Sequence, residues 1–230
     1  MRHDSIALML FAAGFGTRMQ HLTAHQPKPL IKVAGRALID HARDLGTDIG
    51  AAPIVANLHY LPDMVDAHLQ GTDVQTIREQ GDILETGGGL RHALPVLGGQ
   101  PVATLNTDAV WAGPNPLRLL MDTWNPDSMD ALLICVPMER VHGRDSAGDF
   151  EIDPAGRLHR GGTTVYGGAQ ILKTELLHTV PDAAFSLNVV WNMMAQQGRL
   201  FGLQYPGHWC DVGHPGGIVE AENMLAQYHV

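Results

Sequence analysis

Four charged side chains and one run of small residues could do chemistry in this chain. The run is Phe11-Ala12-Ala13-Gly14-Phe15-Gly16-Thr17-Arg18-Met19. An apolar stretch over 6–11 leads into it, so it falls at the carboxyl end of a strand, where open α/β sheets bind ligands. Ala12, Ala13, Gly14, Gly16 and Thr17 are small enough for backbone N–H groups to come close to an anion. A Gly-x-Gly by itself also suits a strand-to-helix turn that binds nothing. The dinucleotide fingerprint needs a third glycine where Met19 stands, and the other common phosphate loop needs Gly-Lys-Ser/Thr where this chain has Gly-Thr-Arg. Two cations follow. Arg18 adjoins the loop, and Lys28 sits between Pro27 and Pro29, which restrict the backbone on either side of it.

The other two charges are distant carboxylates. Asp108, in Asn106-Thr107-Asp108, follows an apolar run at 102–105, and Asp211, in His208-Trp209-Cys210-Asp211-Val212-Gly213, follows one at 200–204. Either alone could cap a helix or shape a turn. Brought to one edge of a sheet, the pair forms a hard oxygen site for Mg²⁺. A further loop runs from Glu79-Gln80-Gly81 to Thr86-Gly87-Gly88-Gly89. Three glycines weaken the helix they open, and close approach of a ligand to the backbone is one reason to keep them.

The elements that must position these residues alternate in type. Strands are expected at 6–11, 54–57, 74–77, 102–105, 132–136, 165–172 and 200–204, and helices at 37–45, 62–69, 88–94, 116–124, 187–197 and 217–227. Such alternation implies a Rossmann-like, three-layer α/β/α fold around a mostly parallel sheet. The rhythm breaks after Pro137. A polar segment leads to Phe150-Glu151-Ile152, the turn Asp153-Pro154-Ala155-Gly156 and Leu158, which together read as a small hairpin insertion over the substrate site. The whole of 1–230 reads as a single domain, with that insertion at about 138–170.

Composition narrows the function classes. Of the 230 residues, 45% are hydrophobic and 17% charged, which is globular rather than disordered. The net charge of −9 and the lack of a basic patch argue against nucleic acid as a partner. The thirteen histidines are scattered and never take a zinc-ligand spacing. Two cysteines cannot build a disulfide framework, so a reducing compartment is expected. Only six apolar residues precede the glycine loop, too few for a leader or a membrane span, and the expectation is a cytoplasmic protein with no membrane partner.

The stretch from Ala12 to Met19, followed by Leu22-Thr23 and Pro27-Lys28-Pro29-Leu30, resembles the signature of sugar-1-phosphate nucleotidyltransferases. The resemblance implies a nucleoside triphosphate and a sugar 1-phosphate as partners, with Mg²⁺ as cofactor. By that resemblance the loop wraps the triphosphate, Arg18 neutralises the departing pyrophosphate, Lys28 contacts the sugar phosphate or the phosphate under attack, and Asp108 and Asp211 hold the metal. Gln80 and Gly87 belong to the loop that reads the nucleobase in related enzymes. Gln80 can both donate and accept, which suits a pyrimidine, though it could equally be an exposed loop amide.

Further pieces are similar to the uridylyltransferases that act on N-acetylmuramate 1-phosphate, which points to UTP. They are Leu84-Glu85-Thr86-Gly87-Gly88-Gly89, Ala93-Leu94-Pro95, Trp111 after Asn106-Thr107-Asp108, Gly148-Asp149-Phe150, and 207–213. Asn106, Gly148, Asp149 and Gly168 are then expected at the sugar, and Arg144 could meet its carboxylate. The chain departs from the pattern at Thr107, where the family usually has glycine, and at His214-Pro215. Thr107 is harmless if it points into the core and reduces activity if the glycine makes room for substrate. Guanylyl transfer to mannose 1-phosphate, cytidylyl transfer to a phosphorylated amino alcohol and a catalytically silent nucleotide-sugar-binding regulator are the competing readings.

Overall fold

Neighbouring side chains of strand β1 (Ala7–Phe11) enter different hydrophobic cores. Leu8 and Leu10 join one, and Ala7 and Met9 join the other. That period of two makes β1 a central strand covered on both faces. The structure is a computed structural model and describes residues 5–98, 101–145 and 147–228. Residues 1–4, which begin the segment read above as too short for a leader, and Ser146, within the polar segment, lie outside the described residues.

Along the chain follow β2 (Lys32–Val33), β3 (Arg36–Ala37), α1 (Leu38–Asp48), β4 (Ile54–Leu58), α2 (Pro62–Leu69), β5 (Val74–Arg78) and α3 (Glu85–Leu97). Next come β6 (Val102–Asn106), β7 (Ala109–Ala112), α4 (Pro116–Thr123), β8 (Ala131–Pro137) and β9 (Val141–His142). The chain ends with β10 (Phe150–Ile152), β11 (Leu158–Arg160), β12 (Thr164–Leu172), α5 (Asn188–Gln196), β13 (Leu200–Gln204), β14 (His208–Asp211) and α6 (Pro215–Tyr228). All seven expected strands and six expected helices are present, with ends shifted by a few residues. None of the helices among the described residues is long and apolar enough to cross a membrane.

The main sheet runs β5-β4-β1-β6-β12-β8-β13, parallel except for β12, which is antiparallel to both neighbours. One core packs α1 and α4 residues such as Ile39, Leu117 and Leu120 against it; the other packs Leu90 and Leu97 of α3 with Val190 and Met194 of α5. The expected three-layer α/β/α architecture is therefore present. Local chemistry fixes the element starts. At α4, the Asn115 side chain accepts from the Leu117 N–H at 2.9 Å, and Pro116 occupies the first turn.

Strand β12 carries the irregularity that matters for function. Its pairing with β8 shifts register between Tyr166 and Gln170, across Gly167-Gly168. Ala169–Leu172 pairs with β6, whereas Thr164 pairs with the β10–β11 hairpin. The turn of that hairpin is built as the sequence suggests: Asp153 Oδ1 accepts from the N–H groups of Ala155 (2.8 Å) and Arg157 (2.9 Å).

Two features depart from the sequence reading. A second sheet, β7-β14-β9, was not anticipated; it packs with α6 around Val110, Cys210, Val212 and Met224. Helix α3 begins at Glu85 rather than Gly88, so all three glycines lie inside it and are buried. A Cβ on Gly88 would stand 2.3 Å from the Ala183 carbonyl oxygen. Gly88→Ala should therefore destabilise the protein by about 1–3 kcal/mol through overpacking, instead of the roughly 1 kcal/mol gain that helix propensity alone favours. Urea denaturation of the variant tests the sign.

Candidate active site

Strands β1, β4 and β6 end side by side, and a cavity of about 200 Å³ opens beyond their carboxyl ends. Ala12, Ala13 and Gly14 form one wall, and Lys28, Asn106 and Asp108 form another. A second cavity of about 280 Å³ adjoins it, sharing Phe11, Thr86 and Asn106. It lies where β6 and the first half of β12 part company, and Asp149 of the expected sugar segment lines it. The result is a cleft in two halves with Asn106 at the divide.

Lys28 is the cation of the first half. Only 8% of the residue is exposed, and its Nζ donates to Asp108 Oδ2 at 2.8 Å. Gly16, with φ of 65°, lets the glycine loop lie on the lysine stem; a Cβ there would meet Lys28 Cβ at 2.8 Å. The loop thus packs on the lysine stem, Pro27 and Pro29 restrict its backbone, and Asp108 holds the ammonium.

Asp108 and Asp211 converge, but by a route the sequence reading did not contain. They do not end two strands of the main sheet. Asp108 lies just before β7, and Asp211 ends β14, which pairs antiparallel with β7 so that Asp211 stands opposite Ala109. The Val212 N–H donates to the Asp108 carbonyl at 2.8 Å and locks the junction. Burial pushes the Asp211 carboxyl above its ordinary value, and the Asp108 charge adds to that; Lys28, Arg18 and Arg144 act in the opposite sense. The Arg18 guanidinium also reaches this corner, since a Cβ on Gly213 would lie 3.1 Å from its Nη1 and 2.8 Å from Asp211 Oδ2.

This corner fits a divalent cation. Burial and the neighbouring Asp108 charge raise the proton affinity of Asp211, which is the electrostatic situation a hard cation relieves. Among the described residues no group of three or more His, Cys, Asp and Glu side chains converges. A two-carboxylate set suits Mg²⁺, which keeps waters and takes substrate phosphates as its other ligands.

Other expected residues fare differently. Thr107 is 2% exposed and its hydroxyl donates to the Phe11 carbonyl at 2.7 Å, so it ties β6 to β1. Asp149 accepts from Arg144 Nη2 at 2.7 Å and from the Tyr166 N–H at 3.0 Å, so Arg144 pairs with a carboxylate of this chain. Gly87, Gly148 and Gly168 are close contacts between parts of the chain. The Gly87 N–H donates to the Phe185 carbonyl at 2.8 Å, and a Cβ there would strike the Phe185 ring at 2.4 Å. At Gly148 it would meet the Gly162 carbonyl oxygen at 2.3 Å, and at Gly168 it would meet Asn106 Cβ at 2.8 Å. The ligand-approach reason given for Gly87 and Gly148 is replaced by this packing, because their backbones are already covered. Thr17 and Gln80 are exposed, and neither lines either half of the cleft.

The structure adds residues the sequence did not mark. Asn57, 2% exposed at the end of β4, accepts from the Ala12 N–H at 2.9 Å and donates to Glu79 Oε1 at 2.6 Å. Glu79 Oε2 accepts from the Leu84 N–H at 2.9 Å. This buried relay ties the glycine loop to the loop that opens α3. In the second cavity Arg160, Ser186, Asn188 and Trp191 join Asp149.

A profile of the MobA-like NTP transferase domain matches residues 8–204. The chain belongs to that family. It is a nucleotidyltransferase, as the loop and cation motifs implied. This MobA-like NTP transferase is 37% identical to the N-acetylmuramate alpha-1-phosphate uridylyltransferase of Caulobacter vibrioides, over 95% of this chain and 96% of that protein. It is 30% identical to the enzyme of the same name from Neisseria meningitidis serogroup B, over 96% of this chain and 98% of the relative. Its fold matches a UDP-glucose pyrophosphorylase solved with UDP-glucose, with a TM-score of 0.75 and 15% identity over 97% of this chain and 99% of the other.

The raised proton affinity of Asp211 has a consequence for stability. A carboxyl whose folded-state value lies above its unfolded one contributes stability that is present at low pH and lost as pH rises through the raised value. Without added divalent ion or nucleotide, Asp211→Asn should therefore melt above the wild type at pH 7, and the gap should close on acidification towards pH 4. Thermal denaturation across that range checks the direction.

Proposed function

We propose that this chain transfers a uridylyl group from UTP to N-acetylmuramate 1-phosphate, releasing pyrophosphate. The observation that carries this reading is the meeting of Lys28, Asp108, Asp211 and Arg18 beside a cleft whose two halves share Asn106. The identity to two N-acetylmuramate alpha-1-phosphate uridylyltransferases along nearly their full lengths supports the choice of donor and acceptor.

The chemistry joins two anions. An oxygen of the sugar phosphate attacks the α-phosphorus of the triphosphate, and the bond from that phosphorus to the bridging oxygen of pyrophosphate breaks. The attacking oxygen is already ionised, so no general base is required, and catalysis reduces to alignment and charge stabilisation. The Ala12–Thr17 backbone receives the triphosphate. Lys28 neutralises the phosphates at the point of attack, and Arg18 accompanies the leaving pyrophosphate. Asn106, at the divide, orients the acceptor towards the first half, and Asp149 lines the second half beside it. Asp108 and Asp211 would hold Mg²⁺, which when bound offsets the repulsion between the two substrates.

The base is assigned to the opening of α3, where Glu85 and Thr86 line the cavity and the Asn57–Glu79 relay fixes the loop. The segment 138–170, with its β10–β11 hairpin, forms the sugar side within a single-domain enzyme. Absence of a basic patch leaves nucleic acid out of the proposed partners.

Two experiments test the proposal. In a matrix of nucleoside triphosphates against sugar 1-phosphates, pyrophosphate release should be fastest with UTP and N-acetylmuramate 1-phosphate, and only with divalent ion present. GTP with mannose 1-phosphate as the sole productive pair would overturn it. Asp108→Asn and Lys28→Met should each lower kcat by at least about 100-fold while leaving the fold intact by circular dichroism. Near-wild-type turnover in both variants would remove the assigned charge cluster from the reaction.

A further inference from the structure

Two charged side chains line the second cavity, Asp149 and Arg160, and they are balanced unequally. Asp149 is satisfied on both oxygens, by Arg144 and by the Tyr166 N–H. Arg160, at the end of β11, has hydrogen bonds only to a neutral acceptor, Asn192 Oδ1, from Nε at 3.2 Å and from Nη2 at 2.9 Å. No carboxylate among the described residues makes a salt bridge with it. Its guanidinium stands 4.7 Å from the centre of the Phe150 ring and 5.9 Å from that of Trp191, which keep the head group at the cavity wall. Two of the five N–H donors of the guanidinium go to Asn192, which leaves three for a ligand.

We propose that Arg160 determines acceptor specificity by binding the carboxylate of the lactyl ether that distinguishes N-acetylmuramate 1-phosphate from an N-acetylhexosamine 1-phosphate lacking it. This rests on the acceptor proposed above. The geometry separates this cation from the phosphate chemistry. Lys28 and Asp108 line the first cavity and not the second, and Arg160 lines the second and not the first. An acceptor spanning the Asn106 divide puts its phosphate at Lys28 and its far substituents beside the hairpin. A planar fork with free donors matches a carboxylate in two-point contact, which an ammonium would not. Arg160 is exposed at the cavity mouth, open to an incoming ligand; the protein around it slightly disfavours the charged guanidinium and Asp149 acts against that. Arg144, the other arginine of this region, is committed to Asp149.

The test is a two-by-two comparison of kcat/KM, crossing wild type and Arg160→Gln with N-acetylmuramate 1-phosphate and its lactyl carboxamide analogue. Wild type should prefer the acid by about 10- to 100-fold, the range of a charge-assisted pair, and Arg160→Gln should use both at about the wild-type rate for the amide. Arg160→Lys, which keeps the charge without the fork, should retain part of the preference. Equal losses on both acceptors in Arg160→Gln would assign the residue to the phosphate or to folding and overturn the proposal. A wild type indifferent to the amide would also overturn it while leaving the acceptor assignment standing. Turnover of neither compound by a wild type that is active on another sugar phosphate would refute the acceptor assignment itself, and the role of Arg160 with it.

Discussion

Two like charges brought together across about a hundred residues of sequence set the terms for the rest of this structure. Asp108 and Asp211 repel, and burial adds to the difficulty of keeping Asp211 ionised. The fold answers with positive charge supplied from a third place, the Lys28 turn, whose ammonium bonds Asp108 and acts on Asp211. Keeping that ammonium in position requires the glycine loop to lie on its stem and prolines to flank it. The loop in turn is anchored by Asn57 through the Ala12 N–H. Each of these is a local solution to a strain introduced by the carboxylate pair, and together they define the floor of the cleft.

The glycines illustrate how function and packing become entangled in such a site. Several that the sequence associates with a ligand are close contacts of chain with chain. Gly16 lies on Lys28, Gly87 on Phe185 and Gly168 on Asn106. They serve the site indirectly, since each fixes a residue or loop that borders a cavity. A glycine in a motif therefore reports that something must come near the backbone, without saying whether that neighbour is a substrate or another part of the protein.

What was legible in the sequence follows from the range of the forces involved. Period-two and helical patterning reflect burial over a few residues, so the seven long strands and six helices could be read directly. Lys28, Arg18 and the glycine loop lie close together in sequence and could be read as a unit. The small β7-β14-β9 sheet could not. Its strands have four, four and two residues, and they pair across about 70 to 100 positions. Asn57 and Glu79 escaped for a related reason. A single polar residue at the end of an apolar strand carries no spacing signal, and only the assembled sheet puts it beside Ala12. Arg160 carried no signal in the sequence, because the cavity it borders exists only once the bulged β12 parts from β6.

The position of Asp211 on β14, the last strand of the described chain, also bears on how the protein comes into being. Strands β1, β4 and β6, the glycine loop and Lys28 precede it and can pair as they leave the ribosome, domains forming from the N-terminal side during synthesis. Joining β14 to β7 closes a loop of about a hundred residues, a non-local step that comes late because its entropy must be overcome before the new contacts repay it. Until then the nascent chain carries an anion cradle with a single carboxylate beside it. The corner that brings the two carboxylates together is therefore complete only once β14 has paired with β7.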